Sequence, residues 1–388
     1  MSIRSFFLSI NILLLLSSCN SSKEDGKNDK HKRIQKSSNK IKSIIKTIHN
    51  EYILEKPIND LEKNAITGIM KSLDEYCQYF SQEEFEYVEN TINNSNKNNV
   101  GIGLFVHETK NGEYKVIDIF PGSKSSKKDI QLGDVLTKIN DRNISEIKNV
   151  RRLLHSINSD ISLDFSRSNN KFKILFKKDS DSKDVLIKII DNNLLVIKMP
   201  FIQKDMSLEI RKFIKNNIKN KKINGIILDL RNNPGGDIKE AKEILGLFLK
   251  KKLCYSIKGR SKSDLEKVYT SSNIIFKPIP TIAIVNKFTA SSAEIIASSL
   301  KFYKRAIVVG EKTYGKNRIQ TLFKIPGIGG LKITTSEFLT PSNENIYKIG
   351  ISPDIELEKE STENINNSDK WMKSAINIIK VISLRGNK

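Results

Sequence analysis

Residues 288–320 read FTASSAEIIASSLKFYKRAIVVGEKTYGKNRIQ. They follow an apolar run, Thr281 to Val285, that gives way to small and hydroxyl residues. Ile295, Ile296 and Leu300 recur at helical spacing, and Ala306 to Val309 is a second β-rich run. The order is strand, turn with serines, helix, strand, turn with Lys316. Such a layout presents a serine hydroxyl at a helix N-terminus and brings an amine back to it. Ser291 and Glu294 spell S-x-x-E before an apolar helix, so the plainest reading of Ser291 is an N-cap in a capping box. Other features point past capping. Lys316 lies in the glycine-containing run Thr313-Tyr314-Gly315-Lys316, and Gln320 follows four residues on, where a side-chain amide can steady an amine. Upstream, Ile226 to Leu230 reads as a buried strand, and the run LDLRNNPGG at residues 228–236 carries its end and the Pro234-Gly235-Gly236 that stops it.

Ser291, Lys316 and Gln320 resemble the serine–lysine–glutamine set of the carboxy-terminal processing peptidases, or tail-specific proteases. That family carries runs such as GSASASEI and TxGKGxxQ, where this chain reads FTASSAEI and TYGKNRIQ. The spacing from Ser291 to Lys316 is 25 residues, as in the family, and LDLRNNPGG matches without a change. The resemblance spans about Ile41 to Leu357. It implies that Ser291 is the nucleophile, Lys316 the base and Gln320 its orienting partner. It also implies an oxyanion hole made by the amide of Ser292 and one from Gly235-Gly236. Phe288 stands where the family usually has glycine, Asn317 where it has a second glycine, and Phe302 where aspartate is common. A serine hydroxyl is a weak nucleophile until a base takes its proton. A free lysine titrates near about 10.4, so its pocket must disfavour the ammonium form. Hydrolysis by such a set uses no cofactor. The four histidines, His31, His49, His107 and His155, show no metal-ligand spacing, and no metal site is expected.

Residues 1–18 read as a signal peptide: Arg4 supplies the positive charge, and the apolar run Phe6 to Leu16 is short for a membrane span. Leu16-Ser17-Ser18-Cys19 resembles a bacterial lipobox, which makes Cys19 the lipidated mature N-terminus. Residues 19–40, rich in Lys, Ser and Asn, are expected to be a flexible tether. Residues 41–96 read as helical, with a capping box at Ser81 to Glu84.

Residues 97–180 are expected to form a PDZ domain. Gly101-Ile102-Gly103-Leu104 resembles the loop whose N–H groups take a peptide's terminal carboxylate. Leu104 to Val106 is the edge strand a peptide would join. Leu132 to Leu136, LGDVL, matches a PDZ run, and Val150, Leu153 and Leu154 on the following helix are expected to line the pocket. Strands then alternate with helices over residues 185–357, the serine protease domain, and residues 358–388 form a helical tail. The fold class is α/β (α+β overall): a crotonase- or Clp-protease-like domain with an inserted PDZ domain and an N-terminal helical segment.

The formal charge of +22 invites a nucleic-acid reading. Lysines are spread along the whole chain and no nucleic-acid-binding motif is present, so nucleic acid is not an expected partner. Cys77 and Cys254 are read as free thiols. The expected function is a serine endopeptidase of the bacterial cell envelope, facing the periplasm or extracytoplasmic space. It would be held to the membrane through Cys19 and act on proteins with free carboxy-termini. The substrate, an adaptor and a homo-oligomer are left open. The alternative is a catalytically silent, lipid-anchored peptide-binding scaffold, which the intact Ser291, Lys316 and Gln320 disfavour.

Overall fold

A computed structural model describes residues 29–93, 102–109, 111–119, 124–147, 150–155, 160–168, 170–177, 185–218, 222–261, 263–271, 274–358 and 369–385. The signal peptide, Cys19 and Gly101 lie outside these residues. The chain divides into two compact units, Met1–Tyr79 and Phe80–Lys388.

In the first unit, helix α1 (residues 29–51) and helix α2 (Ile58–Lys71) form a hairpin. Ile41, Ile44, Ile45 and Ile48 line the space facing Leu61, Ala65 and Ile69. Residues 29–40 were expected to be tether and are instead helical. Side chains there are exposed, so the helix is a local structure that needs no burial. An Asp29–Arg33 pair one turn apart supports it.

The second unit starts at Phe80, the last residue of strand β1 (Gln78–Phe80), and continues with α3 (Gln82–Asn93). The expected capping box is present: the Ser81 N–H donates to Glu84 Oε2 and the Glu84 N–H to Ser81 Oγ. A β-rich part follows, made of β2 (Leu104–Glu108), β3 (Tyr114–Ile119), β4 (Val135–Ile139), β5 (Arg142–Asn143), α4 (Val150–His155), β6 (Ile161–Arg167) and β7 (Asn170–Phe176). Its sheet runs β2-β3-β4-β6-β7, with β5 on β4, and β2 at an edge. Ile102, Leu104, Leu136, Leu154, Leu163 and Phe165 are among the buried side chains of its core. Asp134 of the LGDVL run is buried and receives Nε and NH2 of Arg167 at 2.7 and 2.9 Å, which pins the start of β4 to β6.

The remaining elements are β8 (Leu186–Ile190), β9 (Leu194–Lys198), α5 (Met206–Asn217), β10 (Gly225–Asp229), α6 (Ile238–Leu245), β11 (Leu253–Lys258), β12 (Leu265–Tyr269), β13 (Thr281–Val285), α7 (Ser292–Phe302), β14 (Ile307–Gly310), β15 (Arg318–Ile325), β16 (Gly329–Leu339), β17 (Ile355–Glu356) and α8 (Lys370–Arg385). The main sheet runs β17-β14-β13-β10-β9-β8, parallel except for the β8–β9 pair. Its strands read as continuous apolar runs because both faces are covered. Leu195, Ile197, Ile226, Leu228, Ala283 and Val285 pack with α5, α6 and α7. The alternate residues Leu194, Val196, Ile227, Ile282 and Ile284 pack with Trp371, Ala375 and Ile379 of α8. A second, antiparallel sheet joins β15, β16, β11 and β12. In the parallel sheet the loops leaving β10, β13 and β14 emerge at the same edge, the carboxyl ends of the strands. That edge is where open α/β sheets place their sites.

Candidate active site

The loop after β13 delivers Ser291 to the start of α7. Ser291 has φ 58° and ψ −124°, an unusual backbone for a residue with a side chain. The chain turns sharply from strand to helix there, as nucleophile-bearing turns do. Glu294 is wholly buried one turn into α7 and accepts the Ser291 N–H on Oε2 at 2.7 Å. The same Oε2 accepts the Lys316 N–H at 2.9 Å, while Oε1 accepts Thr313 Oγ1 at 2.6 Å and the Gly315 N–H at 2.7 Å. Four donors on two oxygens saturate an ionised carboxylate. Burial pushes the Glu294 carboxyl above the ordinary range, against the lowering effect of these four bonds. Glu294, first read only as the acid of the capping box, therefore ties the serine turn to the lysine turn.

The loop after β10 closes on the same point. Asn233 is buried; its Nδ2 donates to the Met199 carbonyl, its Oδ1 accepts the Gly235 N–H at 2.8 Å, and its carbonyl accepts the Ala290 N–H at 2.9 Å. Gly235 has φ +98°, and a Cβ there would stand 2.6 Å from Ser291 Cβ and 3.0 Å from the Ser292 nitrogen. Only glycine fits this approach. Of the two glycines expected to offer an oxyanion donor, Gly235 therefore has its N–H already taken, by Asn233. Within the described residues no acceptor takes the N–H of Gly236 or of Ser292.

The turn after β14 is held by Thr313, whose N–H and Oγ1 pair with Ile351, and by the Tyr314 N–H on the Thr289 carbonyl. Lys316 is half-buried. Asn317 is buried with its Nδ2 on the Phe338 carbonyl and on Asn345 Oδ1, so this position holds a side-chain clasp and needs no glycine. Gln320 lies inside β15, where its Nε2 donates to Thr334 Oγ1 at 3.1 Å across the hairpin. The sequence reading did not place a strand there. Phe288 also lacks a glycine-like backbone, and its ring centroid stands 4.8 Å from that of His107 on β2. Phe302 is exposed on α7 and stacks edge-on against Tyr303.

The expected peptide loop is partly occupied. The Ile102 N–H reaches the Leu154 carbonyl at 3.4 Å, and Gly103, at φ +72°, leads into Leu104. Val150 and Leu154 are 1% and 0% exposed. They were expected to line a pocket and are core instead, because residues four apart share the inward face of α4. Leu153 is half-buried. Cys77 and Cys254 are both free. Among the described residues no group of side chains could hold a metal ion.

A serine on a strained strand-to-helix turn thus lies with a lysine turn and a glycine loop at the carboxyl ends of parallel strands. Residues 193–357 match the model of Peptidase family S41. It is 29% identical over 350 residues to a probable CtpA-like serine protease of Staphylococcus aureus (strain N315), covering 87% of this chain and 68% of that one. It is 28% identical over 339 residues to a carboxy-terminal-processing protease of Bartonella bacilliformis, covering 84% and 76%. In fold it is similar to a photosystem II D1 C-terminal processing protease, with TM-score 0.58, 20% identity, and 82% and 88% of the two chains covered. The relatives it resembles are thus a serine protease and a carboxy-terminal-processing protease.

Proposed function

We propose that this chain is an envelope endopeptidase, lipid-anchored at Cys19, that captures free carboxy-terminal tails through a PDZ domain and cleaves with Ser291 and Lys316. The neutral Lys316 amine takes the Ser291 hydroxyl proton as Oγ attacks the scissile carbonyl carbon. The N–H groups of Gly236 and Ser292 receive the negative oxygen. Each such donor typically accounts for about 2.7–4 kcal/mol. Collapse breaks the C–N bond, and Lys316 returns the proton to the leaving amine. Water then repeats the sequence on the acyl-enzyme, releasing a carboxylate and restoring Ser291. Gln320, held by Thr334 through its amide nitrogen, keeps its carbonyl oxygen as the atom able to accept from the amine. The β-rich part, with β2 at the sheet edge, serves as the tail reader.

The observation that supports this most directly is the shared Glu294 oxygen, which holds the Ser291 and Lys316 backbones together. The test is turnover of an unstructured protein by the full chain. Ser291→Ala, Lys316→Ala and the double change should fall to one common floor, since members of a catalytic unit are non-additive. Lys316→Arg should fail too, because arginine does not deprotonate. Near-normal turnover by Lys316→Ala would remove the dyad. No Ser291-dependent turnover in the unmodified chain would favour the scaffold reading.

A further inference from the structure

The C-terminal helix reaches the glycine loop through one arginine. Arg231 follows β10 by two residues, and its guanidinium is held from two sides. Nε and NH2 donate to Asp229 Oδ1 and Oδ2 at 2.9 and 2.7 Å. NH1 and NH2 donate to Asp369 Oδ1 and Oδ2 at 2.8 and 2.6 Å. Asp229 is buried at the end of β10, whereas Asp369 stands immediately before α8 and also caps it, accepting the Met372 N–H at 2.9 Å. Behind Asp369, Trp371, Ala375 and Ile379 seat α8 on the sheet, and Trp371 Nε1 donates to the Glu358 carbonyl. Helix α8 is thus a fixed support, and Asp369 is its hold on Arg231.

What Arg231 leads into is the glycine loop. Asn232 follows in a left-handed conformation at φ +60° and exchanges two hydrogen bonds with Asn286 of the serine turn. Asn233 follows with its bonds to Gly235 and Ala290. Within five residues, 229 to 233, the chain is tied to the buried end of β10, to α8 and to the serine turn.

We infer that Asp369 is a positioning residue for the reaction, fixing through Arg231 the loop that aims the Gly236 amide at the developing oxyanion. The inference rests on the oxyanion assignment proposed above. Asp369 is 42% exposed at its side chain, so solvent reaches its side of the pair, and Arg231 keeps its two bonds to Asp229 when Asp369 is changed. Its bidentate geometry nonetheless fixes direction as well as distance. A misplacement of about 1 Å at a reacting centre can cost about a hundredfold in rate. The consequence should therefore fall on turnover and spare folding and ground-state binding.

The experiment separates capping from positioning. Asp369→Ser keeps a good N-cap for α8 and removes the carboxylate. In the full chain it should lower kcat about 10- to 100-fold, with KM within about twofold and the thermal midpoint little changed. Asp369→Glu, which restores a carboxylate, should recover part of kcat. If Asp369→Ser unfolds the chain, Asp369→Asn, an isostere with one acceptor left, should show the same kcat-selected loss at reduced size. Unchanged kcat in either folded variant overturns the inference, as does a loss that simply follows the thermal midpoint. Those outcomes leave Ser291-dependent cleavage by the unmodified chain intact. Absence of that cleavage would overturn the oxyanion reading and this inference together.

Discussion

Ser291 and Lys316 donate their main-chain N–H groups to a single carboxylate oxygen, Oε2 of Glu294, at 2.7 and 2.9 Å. The two residues lie 25 apart in sequence and on loops leaving different strands. Their backbones are tied together by a third residue, the buried Glu294. The arrangement makes Glu294 a point at which the two turns can be loosened without changing Ser291 or Lys316.

Glu294→Gln should therefore be severe. One of its two terminal atoms becomes an N–H donor facing two donors, and each unsatisfied buried group costs about 1–3 kcal/mol. A kcat loss of about a hundredfold is expected, with a lowered but measurable thermal midpoint. Wild-type kcat in the folded variant would show that the four bonds do not set the geometry.

The same carboxyl has a pH signature. Its folded pKa is raised, chiefly by burial, above the unfolded value of about 4.3. The sign for stability is that this group favours the native state below the unfolded value and loses that contribution as pH rises through the folded one. Activity runs the other way, because a protonated carboxyl cannot accept all four donors. As pH falls, kcat should drop above pH about 4.3 while the thermal midpoint does not fall with it through this group. An acid limb that coincides with unfolding would contradict this.

Gly235→Ala is expected to abolish measurable turnover. The added methyl would stand 2.6 Å from Ser291 Cβ, on a backbone with φ +98°. Strain of this kind costs about 1–3 kcal/mol. The check is the thermal midpoint together with the rate. A folded, active Gly235→Ala would mean that the loop lies further from Ser291 than described.

Tail reading is tested by amidating a substrate's carboxy-terminus, which removes a charge and leaves the scissile bonds intact. A charge-assisted hydrogen bond is worth about 1.5–3 kcal/mol, so kcat/KM should fall about tenfold or more. Gly103→Glu should reproduce that loss on free-tailed peptides and change amidated ones little. Equal kcat/KM for both ends on the unmodified chain would mean that the β-rich part does not read tails.

Much was legible in the residues themselves. Apolar runs at Thr281 to Val285 and Ile226 to Leu230 mark parallel strands because both faces of such a sheet are buried, and LDLRNNPGG marks a strand end because Pro-Gly-Gly stops the ladder. The Ser81 and Ser291 turns carry short-range capping signals, which depend on residues three apart. Tertiary structure decided the rest. That Glu294 serves four donors rather than one cap, that Asn233 takes the Gly235 N–H, and that Asp369 reaches Arg231 depends on contacts between segments up to 138 residues apart. No local pattern encodes such contacts, because they exist only once the parallel sheet has brought its strand ends to one edge. Val150 and Leu154 show the same limit from the other side: helical spacing told that they share a face, and only packing decided that the face is core.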